Sequence, residues 1–477
     1  MRSAYSVDSV RAAEAELMAQ GPADALMQRA AAALATECAQ LLGKVYGSRV
    51  TLLVGSGDNG GDALYAGARL SRRGAGVSAV LLAPDRAHPR GLAAFRAAGG
   101  VVVEGDDARA EGCVSRARLV VDGIVGIGGR GGLRAPAARL VAAVRPDALV
   151  VAVDLPSGVD ADTGEVRGEA VRADVTVTFG AYKPGLMIDP AREHAGAVRL
   201  VDIGLRLDAD ERRLEALQFE DVARLLPVPG GESDKYRRGV VGIVAGSARY
   251  PGAAVLAVAG ALRGGAGAVR YVGPAADAVI ARYPEALVSA GPPARAGRVQ
   301  AWVAGPGLGD DADRLADVLA ADVPVLIDAD GLRLAGEGAV RARTAPTLLT
   351  PHAGEAAALL GVSRAEVEAG RLAAVRELAA RYDATVLLKG STTLVGPAEG
   401  AVRVNPTGTP WLATAGSGDV LSGLAGSLLA AGLGARDAGS VAAYLHGLAG
   451  RLAADGAPVG AQDVADALPA AWRDVRR

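Results

Sequence analysis

The sequence predicts an α/β protein with two domains, each of which is built around a mainly parallel sheet. Short continuous apolar runs recur along the chain, for example at 50–54, 119–121 and 149–153, and helix-like stretches separate them. Parallel strands that are buried on both faces produce this pattern. The chain also has 477 residues, whereas a single hydrophobic core stops growing near roughly 250–300 residues. We therefore expect two domains, over 1–210 and 218–477.

The N-terminal half is expected to alternate strands with helices. The predicted strands are 50–54, 77–82, 101–103, 119–121, 149–153, 175–178 and 198–201, and the predicted helices are a pair within 7–42 that breaks at Gly21-Pro22, then 61–73 and 89–98. This alternation stops after the last strand. A charge cluster at 208–213 and a turn-rich stretch at 227–231 predict a linker or domain boundary near 205–218.

The C-terminal half repeats the same architecture class without repeating the sequence pattern. Its predicted strands are 240–245, 268–272, 300–303, 324–327, 347–349, 384–388 and 392–396. Its predicted helices are 252–264, 311–321, 353–360, 364–381, 417–431, 437–454 and 461–468.

Composition and charge exclude several classes of protein. The formal net charge is −2, whereas a generic nucleic-acid binder carries a basic surplus. The sequence has no uninterrupted apolar run of the length that a membrane-spanning helix needs, and its start shows no signal-peptide pattern. The two cysteines, Cys38 and Cys113, have neither metal spacing nor a disulfide framework. We expect a cytoplasmic protein that binds neither nucleic acid nor a membrane.

A glycine-rich loop that contains acidic residues follows 50–54, the first predicted strand of the N-terminal half. It reads Gly55-Ser56-Gly57-Asp58-Asn59-Gly60-Gly61-Asp62-Ala63. Glycines let the backbone approach a ligand closely, and the free N–H groups of the helix that follows suit a phosphate. The glycine spacing is not that of the dinucleotide-binding fingerprint, and a plain structural turn is the alternative. Because a plain turn needs no cluster of carboxylates, we favour a ligand site.

Two further strands of this half also end in acids. Asp122 precedes the glycine-rich loop 126–132, and Asp154 precedes Ser157. Ligands of open parallel sheets sit at the carboxyl ends of strands, so the three loops are expected to share one crevice. Helix capping or an Asx-turn is the alternative for each Asp. Oxygen ligands of this kind suit a hard cation of low charge density.

In this order the three loops resemble the NAD(P)H-hydrate epimerase domain, over roughly 1–205. The resemblance implies a Rossmann-like three-layer domain in which Asn59, Asp122 and Ser157 hold potassium. It implies that the hydrate is bound by Asp58, Asn59, Gly60, Gly61, Asp62, Gly126, Ile127, Gly128, Gly129, Arg130, Gly131, Gly132 and Asp154. Asp154 is also the candidate acid or base. Ala63 stands where the family usually has Gly, and the Lys that the family tends to have near the end of the second strand is absent.

The sharpest motif of the C-terminal half is Ala415-Gly416-Ser417-Gly418-Asp419 at the start of a predicted helix. Successive N–H groups there form an anion hole, and Asp419 beside it can accept a proton from a substrate hydroxyl. Stabilisation of the helix dipole is the alternative role for Asp419. A basic residue and hydroxyls for a nucleotide phosphate come from the segment Lys389-Gly390-Ser391-Thr392-Thr393. His352 is either a ligand contact or a turn histidine.

Together with 250–254, 305–309, 328–332 and 350–352, these motifs resemble the ADP-dependent NAD(P)H-hydrate dehydratases, over about 220–477. The resemblance implies a ribokinase-like fold, with magnesium as cofactor and ADP as co-substrate. It implies that Ala254, Gly307, His352 and Asp419 contact the hydrate, and that Lys389, Gly390, Ser391, Thr392, Thr393 and Gly418 contact the nucleotide. Ala353 replaces a Pro that usually follows the His.

The predicted function is repair of hydrated NADH and NADPH (NADHX and NADPHX). The N-terminal half interconverts the R and S hydrates. The C-terminal half phosphorylates the S hydrate with ADP, through Asp419 as base, and then eliminates phosphate. Two alternatives remain: a ribokinase-type small-molecule kinase that its N-terminal half regulates, and an N-terminal module that binds without catalysis. We also expect a homo-oligomer.

Overall fold

The computed structural model describes residues 1–20, 22, 24–397 and 399–477. It divides into two compact units, Ser3–Arg213 (the N-terminal unit) and Met1–Arg2 with Leu214–Arg477 (the C-terminal unit). The predicted break between the first two helices includes Gly21, which lies outside the described residues. In the described part of the chain, no helix is both long enough and apolar enough to cross a membrane.

Between Arg2 and Val201, the described residues form eight strands and seven α-helices. The strands are β1 (Arg2–Tyr5), β2 (Arg49–Val54), β3 (Gly76–Leu81), β4 (Val101–Glu104), β5 (Leu119–Gly123), β6 (Leu149–Val153), β7 (Val175–Phe179) and β8 (Ala197–Val201), and the helices are α1 (Val7–Ala19), α2 (Ala25–Leu42), α3 (Asp58–Arg72), α4 (Pro89–Ala97), α5 (Ala110–Ser115), α6 (Ala135–Ala142) and α7 (Arg192–Ala195).

The seven-stranded sheet of the N-terminal unit is parallel throughout, in the order β4-β3-β2-β5-β6-β7-β8. Neighbouring residues of β2 belong to different core clusters, which shows that helices cover both faces of the sheet. Leu52 and Val54 pack in a cluster with α2 and α3, whereas Leu53 packs in a cluster with α5 and α6. This confirms the predicted three-layer arrangement. The strand order reverses between β2 and β5, which places a crevice at their carboxyl ends.

From Arg212 onward, the described residues form ten strands and twelve α-helices. The strands are β9 (Arg212–Ala216), β10 (Val240–Val244), β11 (Ala268–Val272), β12 (Leu287–Ser289), β13 (Ala301–Ala304), β14 (Val325–Ile327), β15 (Thr347–Leu349), β16 (Thr385–Leu388), β17 (Thr393–Gly396) and β18 (Val402–Asn405). The helices are α8 (Phe219–Leu225), α9 (Pro251–Arg263), α10 (Ala276–Arg282), α11 (Ala312–Leu319), α12 (Asp330–Leu334), α13 (Glu337–Arg341), α14 (Ala353–Leu360), α15 (Arg364–Ala369), α16 (Arg371–Tyr382), α17 (Ser417–Ala430), α18 (Ala435–Ala454) and α19 (Ala461–Val475).

The strands of the C-terminal unit lie in the order β9-β18-β17-β16-β15-β14-β13-β10-β11-β12. Neighbouring strands are parallel except at β16–β17 and β17–β18, which are antiparallel. The prediction of a mainly parallel sheet is therefore confirmed. Helices α9, α17, α18 and α19 share one core cluster with β10 and β13.

Some elements differ from the prediction for identifiable reasons. The segment predicted as a linker contains β9, whose sequence RRLEA is too charged to suggest a strand. Ion pairs to Glu215, from Arg403 at 3.5 Å and from Arg436 at 2.6 Å, stabilise the strand at this position. The predicted helix 364–381 is two helices that meet at Gly370, and the last helix continues through Pro469 to Val475.

Helices α9 and α17 pack with their backbones in contact at two glycines. A Cβ atom at Gly260 would lie 2.1 Å from the carbonyl oxygen of Val420, and one at Gly423 would lie 1.9 Å from that of Ala257. Real Cβ atoms cannot approach so closely, so both positions require glycine. This packing fixes α17, the helix that begins at the predicted anion hole.

We predict that Gly260→Ala lowers the free energy of unfolding of the C-terminal unit by about 1–3 kcal/mol through overpacking. Gly252→Ala in the same helix is the matched control, because a Cβ atom there meets no atom within 4 Å. Urea denaturation followed by tryptophan fluorescence measures the effect, since Trp302, Trp411 and Trp472 all lie in this unit. Equal midpoints for the two variants would contradict the prediction.

Candidate active sites of the two units

In the N-terminal unit, Asp122 and Ser157 form a fully buried hydrogen-bonded pair at the ends of β5 and β6. The Asp122 carboxylate accepts hydrogen bonds from the Ser157 hydroxyl at 2.6 Å, the Ser157 amide at 2.7 Å and the Ile124 amide at 3.2 Å. Burial raises the pKa of Asp122 to about 6, although the bonds from Ser157 and Ile124 act in the opposite direction. Asp122 is therefore a buried acid with hydrogen bonds but no cationic partner.

Asn59 lies in the first turn of α3 and is held against the end of β6. Its side-chain amide donates a hydrogen bond of 2.6 Å to the carbonyl of Val153. A Cβ atom at Gly126 would lie 2.3 Å from Asn59 Oδ1, so only a glycine there leaves room around this oxygen. Asn59, Asp122 and Ser157 thus lie at the carboxyl ends of neighbouring strands, where the sequence predicts potassium, and they supply neutral and anionic oxygens, the ligand type of hard cations.

Asp154 has a buried partner that the sequence did not assign. The Lys183 ammonium donates to Asp154 Oδ1 at 2.5 Å, to the Thr178 hydroxyl at 3.0 Å and to the Phe179 carbonyl at 3.1 Å. The Lys183 side chain is only 1% exposed. Asp154 adopts a positive φ of 67°, a strained conformation for a residue other than glycine. The scarcity of lysine in the chain was the one sequence signal for Lys183.

Asp62 lies near the same carboxylate and is poorly solvated. Its Oδ1 is buried without a hydrogen-bond partner. Burial raises the pKa of Asp62 well above its usual range, and the nearby charges of Asp154, Asp58 and Glu14 raise it further. The uncharged form of Asp62 is therefore favoured relative to that of an ordinary aspartate. Glu14 on α1 belongs to this acidic group although the sequence did not suggest it, and burial raises its pKa too.

The glycine-rich loop after β5 lines a separate part of the crevice. Residues 127–131 border a cavity of about 380 Å³ together with the start of α1 and residues of 158–167. Among the described residues that line this cavity, none belongs to 58–62 and Asp154 is absent. The loop 126–132, residues 58–62 and Asp154 were predicted to bind one substrate. In the structure, the loop lines this cavity, whereas residues 58–62 and Asp154 do not.

In the C-terminal unit, α17 begins at the predicted anion hole. Gly416 has φ 87° at the N-cap, a left-handed conformation that favours glycine. Behind it, burial lowers the pKa of His446 to about 4, so the ring is neutral. Its Nε2 lies 3.0 Å from the carbonyl of Ser417. The helix start is therefore supported from inside by a residue that sequence reasoning missed.

Asp419 lies in the first turn of α17 with a pKa raised to about 7. Burial is the main cause, Asp328 and Glu355 raise the pKa further, and Lys389 lowers it. A carboxylate with this pKa is available as a base near neutral pH. A residue that only stabilised a helix dipole would not need this partly buried position among charges.

Lys389 is anchored by an acid to which the sequence gave no role. Its ammonium donates to Asp328 Oδ1 at 2.7 Å and lies 3.7 Å from Glu355 Oε2. The other oxygen of Asp328 accepts a hydrogen bond of 2.7 Å from Ser422. Burial alone would lower the pKa of Lys389, but the surrounding carboxylates outweigh it and raise the pKa.

The loop that continues from Lys389 is held by a buried arginine. Arg371 donates to the carbonyls of Leu388, Lys389 and Thr392 at distances of 3.3, 3.1 and 3.1 Å. A Cβ atom at Gly390 would lie 2.4 Å from this guanidinium. Arg371 therefore fixes the position of the loop 389–393, which is predicted to bind the nucleotide.

His352, Gly307 and Ala254, which were predicted to contact the hydrate, lie in different surroundings. His352 caps α14, where its Nδ1 accepts hydrogen bonds from the amides of Gly354 at 2.9 Å and Glu355 at 3.2 Å, and the rest of its ring is exposed. Gly307 has a positive φ of 58°. Ala254 is 0% exposed, so its contact with substrate stays a prediction.

The charged side chains of Asp328, Glu355 and Lys389 also determine how the C-terminal unit could bind a metal ion. Among the described residues, no group of three or more His, Cys, Asp or Glu side chains could hold a metal ion by itself. Lys389 separates Asp328 from Glu355. Since Mg²⁺ usually binds through one or two carboxylates together with substrate phosphates, the residues present fit a magnesium ion that arrives with a nucleotide.

These features define a two-domain α/β protein with a candidate active site at the carboxyl ends of the strands of each sheet. Residues 23–185 match the family described as YjeF-related protein N-terminus, and residues 241–470 match the family described as NAD(P)H-hydrate dehydratase.

Relatives match nearly the whole chain. The bifunctional NAD(P)H-hydrate repair enzyme Nnr of Mycobacterium tuberculosis (strain ATCC 25618 / H37Rv) is 52% identical over 445 residues, which are 91% of this chain and 90% of the relative. The protein of the same name from Mycobacterium leprae is 50% identical over 464 residues, with 95% and 94% covered. The chain therefore belongs to the family of bifunctional NAD(P)H-hydrate repair enzymes.

Solved structures resemble the C-terminal unit. The ADP/ATP-dependent NAD(P)H-hydrate dehydratase of Bacillus subtilis, co-crystallised with ATP and Mg²⁺, is 30% identical with a TM-score of 0.50, and covers 54% of this chain and 97% of its own. A ribokinase-like superfamily protein of Enterococcus faecalis V583 is 25% identical with a TM-score of 0.50, and covers 55% and 97%. The predicted ribokinase-like fold is confirmed.

The buried pair of Asp154 and Lys183 yields a stability prediction. Lys183→Met leaves the Asp154 carboxylate buried without a cation, which typically costs about 3–5 kcal/mol. Adding Asp154→Asn removes that charge and is expected to recover most of the loss. Hydrogen exchange of β6 and β7 measures the effect, with the exposed Lys44→Met as control. Protection in Lys183→Met that matches wild type would contradict the assignment.

Proposed function

We propose that this chain repairs hydrated NADH and NADPH by two activities. The N-terminal unit epimerises the R and S forms of the hydrate. The C-terminal unit dehydrates the S form with ADP and releases NAD(P)H, AMP and phosphate. The observation that carries the proposal is Asp419, a carboxylate with a pKa of about 7 beside an anion hole and the Lys389 ammonium.

Dehydration needs a better leaving group than hydroxide. Asp419 takes the proton of the hydroxyl on carbon 6, and the hydroxyl oxygen bonds to the β-phosphorus of ADP as the bond to AMP breaks. The N–H groups at 416–418 stabilise the charge that develops on the transferred phosphoryl group. The ring nitrogen then expels phosphate from carbon 6, and loss of a proton from carbon 5 restores the dihydronicotinamide.

Epimerisation needs a proton donor and an acceptor at the same carbon. Asp62, whose pKa is raised by burial, donates a proton to the hydroxyl, which leaves as water while the ring nitrogen forms a double bond to carbon 6. Water returns to the opposite face and gives its proton to Asp154. The Lys183 ammonium holds Asp154 in position through its hydrogen bond. Pairs of acids whose environments differ in this way divide acid and base roles.

The cations have different roles in the two units. Asn59, Asp122 and Ser157 would hold potassium, which supplies a fixed positive charge beneath the crevice when bound. In the C-terminal unit, Asp419 and Glu355 would hold a magnesium ion carried by ADP, which would neutralise phosphate charge. We further propose that the protein acts on small molecules in the cytoplasm as a homo-oligomer, which size-exclusion chromatography with light scattering would test.

The experiment that tests this function is incubation of a mixture of hydrate epimers with ADP. The expected result is recovery of the dihydronicotinamide absorbance from both epimers, with stoichiometric AMP and phosphate. A ribokinase-type kinase would instead accumulate a phosphorylated substrate without free phosphate. A faster initial rate with ATP than with ADP would reject ADP as the preferred donor.

We predict that Asp419→Asn lowers the dehydration rate by about 10²–10⁴, because the amide keeps the shape but cannot accept a proton. Epimerisation of one pure hydrate, followed by chromatography, is expected to stay at the wild-type rate. In the wild type, the dehydration rate should rise with pH through about 7, since the base must be ionised.

Asp277→Asn is the matched control for Asp419→Asn, because Asp277 is an exposed acid in the first turn of another helix. If Asp419→Asn dehydrates within a few-fold of wild type, Asp419 only stabilises its helix and another base is needed.

For the cation site, we predict that Asp122→Ala abolishes the activation of epimerisation by potassium, because water cannot replace a buried anionic ligand. Ser157→Ala removes one neutral oxygen and is expected only to raise the potassium concentration required. The measurement is the epimerisation rate against potassium concentration, with circular dichroism as a check on folding. The same potassium response in Asp122→Ala and wild type would reject the assignment.

A further inference from the structure

The cavity of about 380 Å³ in the N-terminal unit contains more cationic groups than the acid and base chemistry uses. Three arginines line it: Arg11 from α1, Arg130 from the glycine-rich loop, and Arg167 from the segment 158–167. Asp154 and residues 58–62, which the mechanism places around the nicotinamide ring, are not among the described residues that line this cavity. The cavity is therefore available for another part of a long substrate.

Two of the three arginines are free to bind a ligand. Arg167 is engaged by Glu165, whose carboxylate lies 2.5 Å from its guanidinium. Over the part of the chain that the structure describes, neither Arg11 nor Arg130 has a hydrogen bond or an ion pair. Arginine side chains that make no hydrogen bond or ion pair to the described residues, and that lie at the wall of a cavity, are suited to phosphate, which they bind with two parallel hydrogen bonds.

The acids of the cavity are largely occupied. Asp160 accepts hydrogen bonds from the amides of Asp162 at 3.0 Å and Thr163 at 2.9 Å. Asp162 accepts one from the amide of Val7 at 2.8 Å, which ties the start of α1 to this segment. Only Asp8, exposed on α1, remains without such a bond.

Arg11 also lies directly against the glycine-rich loop. A Cβ atom at Gly128 would lie 2.8 Å from a terminal nitrogen of Arg11. The absence of a side chain at Gly128 therefore lets the guanidinium approach the loop. A residue at the start of the chain is thereby brought beside Arg130, although the sequence separates them by more than a hundred residues.

We infer that Arg11 and Arg130 bind a phosphate group of the dinucleotide hydrate while its nicotinamide ring lies at Asp62 and Asp154. This inference rests on the proposed function, and it adds Arg11 to the site and gives Arg130 a specific role. Both hydrates contain the diphosphate bridge, and only the hydrate of NADPH contains a 2′-phosphate. The two sources of phosphate can therefore be distinguished by comparing the two substrates.

The test measures epimerisation kinetics of Arg11→Gln and Arg130→Gln with each pure hydrate. We expect each variant to raise KM roughly 10- to 100-fold with kcat within about twofold, which is the usual effect of losing a hydrogen bond to a charged group. Arg11→Lys keeps the charge but loses the paired hydrogen bonds, so an intermediate KM is expected. Arg167→Gln is the matched control, and its KM should stay close to that of wild type.

Each outcome has a distinct meaning. A higher KM for both hydrates assigns the diphosphate bridge to these arginines, and a higher KM for the NADPH hydrate alone assigns the 2′-phosphate. A KM within twofold of wild type for both hydrates in both glutamine variants overturns the inference, as does a fall in kcat without a change in KM. Wild-type protein that fails to epimerise either hydrate would instead overturn the proposed function.

Discussion

A buried carboxylate paired with a lysine organises each of the two units. Asp154 follows β6 and pairs with Lys183, and Asp328 follows β14 and pairs with Lys389, at 2.5 and 2.7 Å. Burying a lone charge costs several kcal/mol, so each pair persists only with good geometry and further hydrogen bonds. Thr178 and the Phe179 carbonyl supply them in one unit, and Ser422 supplies one in the other.

Other acids lie near these pairs without a cation of their own, and together with Asp154 they are the groups assigned to chemistry or to cation binding. Asp419 lies near Asp328 and Glu355 but shares Lys389 with them, which keeps its pKa near neutrality. Asp62 is buried near other carboxylates, and both effects raise its pKa. Asp122 has hydrogen bonds without a cation. Lys389, which lies near Asp419, already pairs with Asp328. Among the described residues, no cationic side chain lowers the pKa of Asp62 or Asp122.

Much of the fold and part of the sites were predictable from local patterns. Continuous apolar runs gave the strands of both parallel sheets, because strands buried on both faces need apolar residues at every position. Strand β9 was missed because Arg212, Arg213 and Glu215 look like a solvated segment, and ion pairs from distant arginines stabilise it. The glycine-rich motifs at 55–63 and 415–419 identified the crevices, since close backbone approach needs glycine.

The sequence by itself determined the architecture class, the strand ends that carry acids, and the family resemblance. Only the tertiary structure decided which charges meet. Lys183, Asp328 and Glu14 acquire their roles from neighbours brought by other strands and helices, and Arg11 acquires its position from the contact of α1 with a loop after β5. The reason is that electrostatic interactions depend on distance and burial, and neither quantity is encoded by spacing along the chain.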